Sequence, residues 1–141
     1  MSHRRKEIRE AIKNSLIGNT DAGENVFIDR VKPIYGMPFP AIVVTTGDEE
    51  NRADDVIDHY LARALEVSID IYVEATEETG IDDVFDEMAN QVEGCLKDRE
   101  AFGAGVMDAV LQRTSPEMDN QGETIIGRLR LTYRVSYMPS E

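Results

Sequence analysis

The C-terminal end of the chain alternates. In RLRLTYRVSYM, residues 128–138, the odd positions Leu129, Leu131, Tyr133, Val135 and Tyr137 are apolar, while the even positions Arg128, Arg130, Thr132, Arg134 and Ser136 are polar or basic. A period of two predicts a strand with one buried and one solvated face, here spanning 125–138. The same period runs through 60–75. There Leu61, Leu65, Val67, Ile69, Ile71 and Val73 point one way, and Glu66, Ser68, Asp70, Tyr72 and Glu74 the other. AIVVTT at 41–46 is a short unbroken apolar run, the pattern of a central strand covered on both faces. A first strand is expected over 26–31, rich in β-branched and aromatic residues, and a fourth over 106–114, where MDAVLQR also admits a helical reading.

Two segments carry the helical period instead. Over 4–17, Ile8, Ala11, Ile12 and Leu16 form an apolar stripe among basic residues. Over 76–98, Ile81, Val84, Phe85, Met88, Val92, Cys95 and Leu96 follow the i, i+3, i+4, i+7 rule, with acids crowding the first turns and Thr79 expected as N-cap. The remaining stretches read as connections. GDEENRADD suits a solvated acidic loop, SPEMDNQG supplies turn chemistry, and FGAGVMD reads as a turn. KPIYGMPFP has three prolines and one glycine, which forbid regular structure. Its Ile34, Tyr35, Met37 and Phe39 make it unusually apolar, so this loop either folds over the core or meets a partner.

The element order is helix, three strands, helix, two strands. Strands in succession on either side of a helix predict an α+β fold: a single small domain over 1–141, with a mainly antiparallel, possibly mixed, sheet of about five strands and two helices packed on one face.

Charge changes the picture. The formal net charge is −13, and 48–98 alone holds 17 acids against 3 bases, so the rest of the chain sums to +1. That argues against direct nucleic-acid readout, which needs a basic surface to neutralise phosphates. The N-terminal segment is positive but has no apolar stretch of signal-peptide length, and no window approaches the ~20 apolar residues of a spanning helix. Neither export nor membrane insertion is expected. The single Cys95 allows no intramolecular disulfide, and its place on an apolar stripe favours a buried thiol.

The search for chemistry yields little. His3 and His59 have no metal-ligand spacing. Asp48, Glu49, Asp54, Asp55 and Asp58 offer oxygen donors to a hard cation, but the calcium-loop pattern with its central glycine is absent. No serine stands in a nucleophile elbow, Cys95 lies inside a helical stripe, and the abundant carboxylates belong to helix starts or strand exteriors. No catalytic residue and no bound cofactor are expected.

Two phrases, FPAIVVTTGDEE at 39–50 and GRLRLTYRVSYM at 127–138, with a long L-x-V-x-I strand and an acidic amphipathic helix between them, resemble the tail terminator proteins of long-tailed bacteriophages and prophages, the minor tail protein U family typified by phage lambda. The resemblance covers nearly the whole chain as an ordered layout. It implies a virion protein made in the bacterial cytoplasm. Members form a homohexameric ring on the head-proximal end of the tail tube, end tube growth and offer the head-joining surface. The partners implied are further copies of the chain, the tail tube protein and a head-completion protein. A divalent cation such as magnesium promotes the ring in the family type. Another neck or tail-completion protein of the head–tail junction is the neighbouring reading, and a metal-dependent enzyme using the acidic loop is the reading from a different class.

The arginines of the last strand remain to be placed. They either pair within the subunit, Arg128, Arg130 and Arg134 against Glu66, Asp70 and Glu74 on the outer face of a neighbouring strand, or they lie across a subunit interface and set its register.

Overall fold

Because Leu65 to Val73 and Leu129 to Tyr137 present apolar side chains every second residue, two strands placed side by side make one continuous oily face. In the computed structural model these are β3 (Tyr60–Thr76) and β5 (Thr124–Tyr137), paired antiparallel, with Leu65 opposite Val135, Val67 opposite Tyr133, Ile69 opposite Leu131 and Ile71 opposite Leu129. The structure describes residues 4–28, 39–57, 60–76, 80–103, 105–121 and 124–137, with the side chains at 48–57, 60–62, 75–76, 119–121 and 124 left aside.

Three further strands complete the sheet: β1 (Val26–Phe27), β2 (Ala41–Ile57) and β4 (Val106–Gln121), in the order β1-β2-β3-β5-β4. β1 runs parallel to β2, and every other pairing is antiparallel. The fold is a small α+β domain, as the order of periods predicts.

Both helices cover the oily face. α1 (Arg4–Leu16) buries Ile8, Ile12 and Leu16, and α2 (Ile81–Cys95) buries Ile81, Phe85, Met88 and Val92. They join Val26, Ile42, Val44 and the odd-numbered residues of β3 and β5 in one core cluster. Fully burying a side chain of this size contributes roughly 1.5–3 kcal/mol. Phe102, on a short 3-10 turn (Arg99–Phe102), packs its ring 5.4 Å from that of Tyr133. Cys95 is half-buried at the end of α2, where burial pushes its thiol pKa up.

The strands differ from the sequence expectation in length. GDEENRADD lies in β2 and not in a loop, because β2 and β3 stay paired out to Ile57 opposite Tyr60, with register shifts between Thr46 and Glu49 and between Asn51 and Val56 absorbing the extra residues. MDAVLQR is strand, and β4 continues through SPEMDNQ to Gln121 instead of turning. Pro116 is tolerated there because β4 is the sheet edge. At α2 the N-cap position is Gly80 (φ 71°), with no side-chain cap bond, and Thr79 lies outside the described residues. Asp82 and Asp83 in the first turn still suit the helix dipole. Of the first strand expected over 26–31, residues 29–31 also lie outside the described residues.

One close approach sets how α2 sits. A Cβ on Gly127 would come 2.5 Å from Phe85 Cζ and 3.2 Å from Ile81 Cδ1. Phe85 is buried and cannot swing away. Gly127→Ala is therefore expected to destabilise the fold by about 1–3 kcal/mol, measured by urea unfolding, and most of that loss should vanish when Phe85→Ala supplies the space. Burial, reinforced by Glu93, pushes the Tyr133 hydroxyl from its ordinary 10.0 up to about 12. Folding thus favours the neutral phenol, and the stability this contributes is fully present below pH 10 and lost as pH rises towards 12. Tyr133→Phe should resist alkaline unfolding better than the native chain in a pH titration followed by circular dichroism.

Candidate assembly surface

With the helices on one face, the even-numbered residues of β3 and β5 face outward, and the register decides which charges meet. Asp70 lies opposite Arg130. The guanidinium grips the carboxylate with two bonds, Nε donating to Oδ1 at 2.7 Å and Nη2 to Oδ2 at 3.0 Å. The Asp70 side chain is only 6% exposed and that of Arg130 39%. This bidentate bond raises the Arg130 pKa and holds both side chains in one geometry.

The other arginines behave differently. Arg128 reaches not to β3 but across to β4, where it donates to Glu117, which sits directly opposite in the β4–β5 register. The pKa of the nearby Tyr72 hydroxyl is raised by burial and by Asp70 against the opposing pull of Arg128 and Arg130. Arg134 lies opposite Glu66 in register, yet among the described residues these two form no ion pair. Glu74 is exposed opposite Ile126. Of the six charges named from the sequence, the structure brings Asp70 and Arg130 into direct contact and turns Arg128 towards a residue on the strand beyond. Glu117 carried no sequence signal, since its stretch read as a turn.

Two features extend this outer surface. β4 is a 16-residue edge strand on which Val110 and Met118 are 48% and 51% exposed. It is guarded against simple strand addition by Pro116, by register shifts at Val106/Asp108 and Leu111/Arg113, and by exposed Asp108, Arg113 and Glu117. At the opposite end of the long strands, β2 and β3 stay paired beyond Arg63, the last β3 residue matched to β5. The result is a two-stranded arm, a form marginally stable in water by itself.

The β2 backbone carries Asp48 and Glu49 before the arm and Asp54 and Asp55 within it, with their side chains, and Asp58 entirely, outside the description. Among the described residues no group of three or more His, Cys, Asp or Glu could hold a metal ion. Ile34, Tyr35 and Met37 of the apolar loop lie outside the described residues. Phe39 is half-buried and, with Pro40, Val73, Glu74 and Val84, lines an open depression between sheet and α2. None of the described helices is long and apolar enough to cross a membrane.

Replacing Asp70 with Ala would leave the Arg130 guanidinium without its carboxylate on a partly dry surface. A loss of about 1.5–3 kcal/mol is expected, read as a lower urea midpoint, with Arg130→Ala giving a similar loss and the double variant little more than either.

The comparisons with known proteins agree with this architecture. No curated protein matches the chain. Among solved structures, a chain from the "virion of native gene transfer agent (GTA) particle" superposes with a TM-score of 0.65 at 16% identity, covering 94% of this chain and 96% of that one, a likeness of fold. The model of phage minor tail protein U matches residues 3–137. With nearly its whole length matched, the chain belongs to the phage minor tail protein U family and is a phage tail protein with its place in the virion.

Proposed function

We propose that this protein terminates the phage tail. Six copies form a ring on the head-proximal end of the completed tail tube, stop further addition of tube subunits and present the surface that the head-completion protein joins. The role is structural and not catalytic. Family membership supports a tail role, and the fold shared with a gene transfer agent virion chain is consistent with one.

The observation that carries the reading is the two-stranded arm running past the end of β5. Among the described residues no third strand pairs with this ribbon, and a two-stranded ribbon does not stabilise itself well, so its place is against a neighbouring subunit or the tube tip. A ring of −13 subunits must also overcome self-repulsion. Magnesium would promote assembly by screening it, with the acidic arm the natural place for the ion to gather.

Native mass spectrometry across protein and magnesium concentrations should show a hexamer, visible as an annulus by electron microscopy, and purified tail tubes should bind the protein at one end only. A chain that stays monomeric under every condition and ignores tube ends would overturn the proposal. Binding to the assembled neck without any effect on tube growth would instead favour a tail-completion protein at another level of the junction.

A further inference from the structure

The two helices share one face of the sheet and carry opposite charge. α1 holds Arg4, Arg5, Lys6, Arg9 and Lys13 against Glu7 and Glu10, a net +3. α2 holds Asp82, Asp83, Asp86, Glu87 and Glu93 with no base, a net −5. All five acids of α2 are exposed and run along roughly 16 Å of its axis at 1.5 Å per residue. Among the described residues none of them forms an ion pair, and Glu87 only accepts a 3.2 Å bond from the Gln91 amide. On α1, Arg4 pairs with Glu7 inside the helix at 3.0 Å.

These patches do not meet within the subunit. α1 rests mainly on β2 and the 3-10 turn and α2 on β3 and β5; the two helices touch, but among the described residues no acid of α2 pairs with a base of α1. Between the two helical regions, Gln91 accepts from the Asp21 backbone N–H at 2.7 Å and donates to its carboxylate at 2.9 Å.

We infer that the acidic face of α2 docks against the basic face of α1 on a second copy of this chain, and that this contact links neighbours in the ring, an inference that rests on the reading under Proposed function. Several observations select a second copy as occupant. α1 is a dense basic segment in a chain whose net charge is −13, so two copies attract only where unlike patches oppose. Because the two patches differ, each contact leaves one basic and one acidic helix unused at the ends, the head-to-tail arrangement that propagates until it closes. Edge-to-edge strand pairing, the competing route, is blocked along β4 by Pro116 and the two register shifts.

Salt alone is a poor test, because it screens the overall repulsion and the helix contact together. Exchange of charges separates them. Arg5→Glu/Lys6→Glu/Lys13→Glu makes both helices acidic, and Asp86→Lys/Glu87→Lys/Glu93→Lys gives both a net positive charge. Each variant, checked as folded by circular dichroism, should self-associate at least about a hundredfold more weakly than the native chain. An equimolar mixture should regain assembly, with native mass spectrometry finding equal numbers of the two and only even-numbered rings. One chain carrying all six changes should assemble alone. Should a variant misfold, the neutral set Asp86→Asn/Glu87→Gln/Glu93→Gln takes its place, with a partial loss expected.

If the native chain assembles and the single-helix variants assemble equally well, the helix contact is wrong and the ring reading stands. If the native chain forms only dimers, which the single-helix variants lose and their mixture restores, the ring reading falls and the contact survives. Failure of native chain and mixture alike overturns both.

Discussion

Everything in this molecule follows from the need to cover one face of a sheet. The alternating residues of β3 and β5 form an apolar surface that water cannot be allowed to touch, and α1 and α2 are both spent on it. The fit is close enough that Gly127 must lack a side chain for Phe85 to lie flat against β5. With both helices committed to that side, the opposite face is left for polar groups, and the helices' own outer sides become surface as well.

On the outer face, register does the sorting. Antiparallel pairing sets Asp70 across from Arg130 and Glu117 across from Arg128, so the last strand, which looks strongly basic by itself, is answered on both sides by acids. Arg128 and Arg130 therefore act as cross-strand ties. The remaining imbalance lies elsewhere, in the acidic length of α2 and the basic length of α1. The closed core and the guarded edge leave these patches of unlike charge on the outer sides of the helices.

Long strands give the domain its reach. At about 3.3 Å per residue, the 17 residues of β2 and β3 extend much further than the 15-residue helix beside them. Part of the surplus forms the arm beyond Arg63, where β2 and β3 pair without β5.

The sequence by itself determined the two periods and hence the class of fold: alternation in β3 and β5, the 3.6 period in α1 and α2, and the choice of face for each side chain. It also determined that Asp70 and Arg130 lie on outward faces, because parity along a strand is a local property. What only the tertiary structure decided is who stands beside whom. GDEENRADD and SPEMDNQ have loop-like compositions, yet each is strand because a long neighbour supplies partners, along the whole of SPEMDNQ and at Glu49, Glu50 and Asn51 of GDEENRADD, with register shifts on either side. Arg128 turns to Glu117, and not to β3, because β5 lies between β3 and β4. Neighbour order is a non-local outcome of packing, and short-range pattern carries no record of it.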